Sequence, residues 1–132
     1  MINAKEPSQY SSLALAYIGD SVYDLYVRNR VIGENPDMPA HKLHLESVKY
    51  VKAHAQSNSI HAMEGILTEK EMAVYKRGRN AKSATVPKNA DLTDYRHATG
   101  FEALIGYLYL SNEEERLKEL MSAAYENAFD KE

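Results

Sequence analysis

The chain has no cysteine and no tryptophan, and only two phenylalanines, four prolines and six glycines among its 132 residues. Without Cys there is neither a disulfide framework nor a thiolate metal site. No apolar run approaches the ~20 residues of a membrane-spanning helix. The first residues, Met-Ile-Asn-Ala-Lys-Glu-Pro, lack the basic-then-apolar order of a secretory leader. Neither a Gly-rich nucleotide loop nor a nucleophile elbow occurs. These absences lead us to expect a cytoplasmic protein with no membrane partner. What is present is a 44% apolar composition, enough for one core. The expectation is one domain over residues 1–132.

A net charge of −3 hides an uneven distribution. Residues 76–97 hold six Lys/Arg against two Asp, whereas residues 111–132 hold seven acids against three bases. A basic middle in an acidic protein has the composition of a phosphate-backbone contact. Lys76, Arg77, Arg79, Lys82 and Lys88 supply its charge, and Asn80, Ser83 and Thr85 add neutral hydrogen-bonding groups. The plainer reading of the same run is a solvated loop.

Apolar spacing predicts helices throughout, with no strand alternation and no repeat. The first helix should span about Gln9 to Arg30, with Leu13, Ala16, Tyr17, Asp20 and Tyr23 sharing its apolar face. A second should open at Pro39 and reach about Ala53, burying Val48 and Val51 with Tyr50 beside them. A third should cover about Ser57 to Met63. Thr68-Glu-Lys-Glu71 is a capping box for a helix from Glu69 to about Arg77. Residues 76–90 read as an exposed loop. A fifth helix should run from Thr93 or Asp94 to Leu110, and a sixth from an Asn112 cap to about Phe129. The fold class is an all-α bundle.

Two acids stand out because each is alone in an apolar helix. Asp20 lies within Leu13-Ala-Leu-Ala-Tyr-Ile-Gly-Asp20, and Glu102 lies within Ala98-Thr-Gly-Phe-Glu-Ala-Leu-Ile-Gly106. A buried carboxylate is costly unless a positive group meets it. One reading is a shared divalent-cation site, because hard cations take carboxylate oxygens, water and substrate phosphate. The other is a structural pair between Asp20 and Arg28, Arg96 or a helix end. Gly19 and Gly106 sit at helical spacing to these acids, and a mid-helix Gly costs about 1 kcal/mol against Ala. Close helix approach would justify both and bring the acids together. Asp24, one turn after Asp20, reads as a solvated acid at the helix edge. His41 and His44 read as surface or groove-lining residues, because no second His/Glu pattern completes a metal site. The ten Tyr read as core-edge residues, with a dimer face as the other use.

These residues also carry a resemblance. Tyr17-Ile-Gly-Asp-Ser-Val-Tyr23 resembles the Phe-Leu-Gly-Asp-Ser-Val-Leu core of the ribonuclease III signature helix. Phe101-Glu-Ala-Leu-Ile-Gly-Tyr-Leu-Tyr-Leu110 resembles that family's second acidic helix, and Gly78-Arg-Asn80 resembles the Gly-Arg-Asn segment between them. Order and spacing match over about residues 10–111. Absence of room for a double-stranded-RNA-binding domain points to the short bacterial branch that consists of the catalytic domain alone. The resemblance implies a ribonuclease III endonuclease-domain bundle and a homodimer, with Tyr17 at the dimer contact. It implies Mg²⁺-dependent hydrolysis of double-stranded RNA, with Mn²⁺ able to substitute, leaving 5′-phosphate and 3′-hydroxyl ends. Asp20 and Glu102 fall on the family's metal-binding, catalytic acids. The segment holding Lys76, Arg77, Arg79, Asn80, Lys82 and Lys88 would grip RNA. The branch is implicated in maturation of the 23S ribosomal RNA precursor, where a ribosomal protein could help to shape the substrate. Leu13, Ala16 and Thr99 stand where larger relatives carry acids. That reduced set leaves the number of metals open, keeps a non-catalytic RNA-binding or adaptor module as the alternative, and suggests Thr99 as support for a metal-bound water.

Overall fold

The structure is a computed structural model that describes residues 4–82 and 91–131. Ser83, Thr85 and Lys88 lie outside the described residues. A 3-10 turn at Pro7–Gln9 leads into α1 (Ser12–Glu34), followed by α2 (Ala40–Val51) and α3 (Ala53–Met63). A second 3-10 turn at Glu64–Ile66 precedes α4 (Glu69–Arg79), α5 (Leu92–Leu110) and α6 (Glu114–Glu126). The bundle is all-α, as expected. Helix α5 is its axis, packing against α1, α3, α4 and α6. Tyr23, Val27, Ile60, Met63, Tyr75, Phe101, Leu104, Ile105 and Leu120 form the buried centre.

Several boundaries move, each for a local reason. Ser11 caps α1, its hydroxyl accepting from Ala14 N at 3.1 Å, so the helix starts later than Gln9. It then continues one turn past Arg30, to Glu34. Pro39 sits at the cap of α2 and not inside it. The expected buried face of α2 is wrong for Val48, which is exposed; Ser47 is the buried residue, with Leu43, Tyr50 and Val51 half-buried. One extended residue, Lys52 (ψ 155°), breaks α2 from α3, which therefore begins at Ala53, before the expected Ser57.

The Thr68–Glu71 capping box is present in both directions, at 2.9 and 3.1 Å. Helix α4 runs on through Gly78 and Arg79, where the composition suggests a loop. Asn112 is not the cap of α6. It takes the left-handed conformation (φ 57°) just past α5. There its N–H donates to Tyr109 O and the N–H of Glu113 donates to Leu108 O, both at 3.1 Å, which closes the end of α5 as a Schellman motif.

Candidate metal and RNA site

The site is made by two glycine-mediated crossings on α5. A Cβ added to Gly19 would lie 1.8 Å from Glu102 O, and one added to Gly106 would lie 1.9 Å from Leu15 O. The backbones of α1 and α5 therefore touch, with each glycine admitting the other helix. Gly78 and Gly100 do the same for α4 and α5: a Cβ on Gly78 would meet Ala103 Cβ at 2.8 Å, and one on Gly100 would meet Tyr75 at 2.7 Å. The Gly of Gly78-Arg-Asn80 thus serves helix packing, and the two residues after it project from that contact.

The α1–α5 crossing sets the Asp20 and Glu102 side chains within hydrogen-bond reach of each other. Their environments differ. Glu102 is partly buried, and burial followed by the charge of Asp20 pushes its carboxyl up to about 8. Asp20 is exposed, which corrects the expectation of a buried acid. Helix α1 is apolar on two sides, and the spacing argument merged them. Leu15, Ala16, Gly19, Tyr23, Val27 and Val31 face the core, whereas Leu13 (39% exposed), Tyr17 (81%) and Asp20 face outward. The structural alternative for Asp20 loses one partner, since Arg28 pairs with Asp24 at 2.9 Å.

One further side chain touches the pair. Gln56, on α3, donates from Nε2 to Glu102 Oε2 at 3.3 Å and to Val51 O at 2.9 Å. Sequence reasoning missed it. The third helix was expected to start one residue later, and a lone Gln carries no spacing signal. Thr99 donates its hydroxyl proton to Tyr95 O of its own helix at 3.0 Å, which leaves the hydroxyl oxygen as an acceptor only. Leu13 and Ala16 contribute no oxygen. Among the described residues no group of three or more His, Asp or Glu is placed to hold a metal ion. The two carboxylates are thus the ligand set on offer. They suit a hard divalent cation, since they crowd like charge that such a cation would neutralise.

The basic residues divide into two kinds. Arg77 is committed to the protein. Its Nε donates to Ser12 Oγ at 3.1 Å, and its two Nη atoms donate to Ser8 O and Tyr10 O at 3.3 Å. It fastens the segment before α1 onto α4. Arg79, Asn80 and Lys82 instead line a cleft of about 450 Å³ with Tyr95 and Arg96 from α5. Arg79 donates to Asn80 Oδ1 at 3.2 Å and lies 5.7 Å from the Tyr75 ring. Lys76 is exposed on the last turn of α4. His41 and His44 are exposed, and His44 lines a separate groove between α1 and α2. Among the described residues no helix is long and apolar enough to cross a membrane.

Comparison with known proteins fits this geometry. Residues 13–113 match the ribonuclease III domain model. A Mini-ribonuclease 3 of Clostridium tetani is 53% identical over 113 residues, covering 86% of this chain and 75% of that protein. The Mini-ribonuclease 3 of Enterococcus faecalis is 48% identical over 120 residues, covering 89% and 90%. A crystal structure of a Fusobacterium nucleatum protein superposes with a TM-score of 0.82 at 28% identity, covering 96% of this chain and all of the other. The chain belongs to the ribonuclease III family, within its Mini-ribonuclease 3 branch.

Proposed function

We propose that the chain is a divalent-metal-dependent endoribonuclease of double-stranded RNA, with Asp20 and Glu102 holding the cation. The observation that carries this is the meeting of the two acids at the α1–α5 crossing, where burial and the neighbouring charge hold Glu102 well above the usual carboxylate range. A protein gains nothing in stability from that arrangement, and such perturbed pairs cluster at functional sites. A bound Mg²⁺ or Mn²⁺ supplies charge neutralisation at the phosphoryl group and a lowered pKa for water. The chain's own residues do the rest. The two carboxylates fix the place of reaction, and Gly19 and Gly106 lock the helices that carry them.

Arg79, Asn80 and Lys82, joined by Lys76, meet the RNA backbone, and Lys88 of the same basic run adds a further cation. A-form RNA shows a wide, shallow minor groove, so recognition is mainly by shape and phosphate. Arg77, which already makes three internal hydrogen bonds, contributes chiefly by holding the N-terminal segment. The exposed Tyr17 and Leu13, on the same outward face as Asp20, suit a homodimer contact that would place two sites against two strands. Within that reading, residues 1–132 act as one catalytic unit. The substrate is the 23S ribosomal RNA precursor, with a ribosomal protein as a possible aid to its shape.

The test is cleavage of labelled duplex RNA by the wild type, Asp20→Asn and Glu102→Gln, with Mg²⁺ and with chelator. Each substitution and the chelator should lower cleavage on the order of 10³-fold or more, since metal stabilisation of the transition state is worth several kcal/mol. Duplex binding that persists without any wild-type cleavage would instead identify the non-catalytic adaptor.

A further inference from the structure

The amide of Gln56 is oriented without ambiguity. Its two contacts, Val51 O and Glu102 Oε2, are a carbonyl and a carboxylate, so the nitrogen must face both. Its oxygen is then left buried and without a partner among the described residues. The residue is only 2% exposed. A side chain kept only to fill space would serve better without that oxygen, because an unpaired buried acceptor costs stability. The return on the amide lies in what its nitrogen connects. Val51 O is the last carbonyl of α2, at the Lys52 break, and Glu102 is the inner acid of the pair. Gln56 thus ties the end of α2 through α3 to α5, and holds one oxygen of Glu102 in place beside Asp20.

We infer that Gln56 is the positioning residue for Glu102, fixing that carboxylate as a cation ligand for the reaction. It does not touch substrate. The inference rests on Asp20 and Glu102 forming the cation site, and deepens that reading. Residues that orient metal ligands typically tune affinity or activity 10–100-fold.

The experiment compares wild type, Glu102→Gln, Gln56→Met and Gln56→Leu. Melting is measured without divalent cation, Mn²⁺ affinity by calorimetry, and kcat and KM on duplex RNA. Methionine matches the shape of glutamine without its donor or its unpaired oxygen. Both Gln56 variants should stay folded with a melting temperature near wild type, because relief of the unpaired oxygen offsets loss of the bond to Val51 O, and should bind Mn²⁺ at least tenfold more weakly and lose kcat with KM for RNA unchanged. Wild-type Mn²⁺ affinity in a folded Gln56→Met protein, with Glu102→Gln impaired, would overturn the role of Gln56 and leave the site intact. A fall in melting temperature with unchanged Mn²⁺ affinity would make Gln56 a structural residue only. Equal Mn²⁺ affinity in wild type and Glu102→Gln would overturn the site itself and this inference with it.

Discussion

Glu71 and Glu102 are the same residue in opposite circumstances. Glu71 is 5% exposed at the start of α4 and is fully answered. Arg116 of α6 grips it with two nitrogens at 2.9 and 2.7 Å, and the Thr68 N–H adds a third bond at 2.9 Å. Those partners hold its carboxyl below the usual range, the Arg116 bond being the main cause. Arg116 is itself tied to Ile66 O at 2.6 Å and to Glu119, so the pair pins the α3–α4 connection to α6. Among the described residues Glu102 is answered only by an amide and is faced by a second acid. One region spends its charge on holding the fold. The other leaves charge uncompensated for something outside the chain.

Exchanging the two acids for amides separates these roles most widely. Glu102→Gln should abolish cleavage and leave the melting temperature unchanged or higher, because a carboxyl crowded by Asp20 is replaced by a neutral group. Glu71→Gln should keep kcat within about twofold while lowering stability by roughly 2–3 kcal/mol, since Arg116 loses its partner at a half-buried position. For a domain of this size that is on the order of 10 °C. Calorimetry and the duplex assay on both variants check the pattern. A Glu102→Gln protein that melted far below wild type would show that both acids are structural.

The next contrast lies beneath Glu102. Its carbonyl is the atom a Gly19 side chain would strike at 1.8 Å, which is backbone and cannot swing aside. Gly19→Ala should force α1 and α5 apart, costing about 1–3 kcal/mol or more by overpacking, and should weaken Mn²⁺ binding by separating Asp20 from Glu102. Gly33 lies on the same helix with nothing within 4 Å of an added Cβ. Gly33→Ala should raise stability by roughly 0.5–1 kcal/mol and leave cleavage unchanged. Melting curves of the two alanine variants, measured together, decide whether the effect belongs to the crossing or to glycine in general.

How far these features were legible in sequence depended on the range of the interaction. The Thr68 box is written in four adjacent residues and was read with the correct start for α4. Gly19 and Gly106 were legible as a reason for close helix approach, because mid-helix glycine asks for one. Asn112 was misread because a cap residue and a left-handed terminator use the same amino acid, and the choice depends on which helix claims the N–H groups. Asp20 was read as buried because α1 has two apolar faces, and periodicity alone cannot say which meets the core. Gln56 and the internal role of Arg77 were invisible, since their partners lie 46 and 65 residues away. The loop assignment of Gly78-Arg79 failed because glycine between cations resembles a turn, while here it is what lets α4 lie against Gly100.

The pH dependence sharpens the comparison through its sign. The Glu71 carboxyl is lowered on folding, so its contribution is present above the ordinary carboxylate value of 4.5 and is lost as pH falls through its folded value. The Glu102 carboxyl is raised from 4.5 to about 8, so folding is favoured where it stays protonated and loses ground as pH rises across that interval. Wild-type stability should therefore decline by about 1–2 kcal/mol between pH 5 and 8, allowing for screening at a partly exposed site. In Glu102→Gln that decline should shrink to what the raised His54, paired with Asp94 and Asp130, contributes, and in Glu71→Gln it should persist while the acid limb below pH 4.5 flattens. Saturating Mg²⁺ should restore wild-type stability at pH 8 and leave Glu102→Gln unmoved, because a ligand of the folded state stabilises only where its site survives. Denaturant midpoints taken at pH 4, 5, 6.5 and 8 resolve both limbs. A Glu102→Gln curve parallel to wild type from pH 5 to 8 would remove the electrostatic conflict from which the cation site was argued.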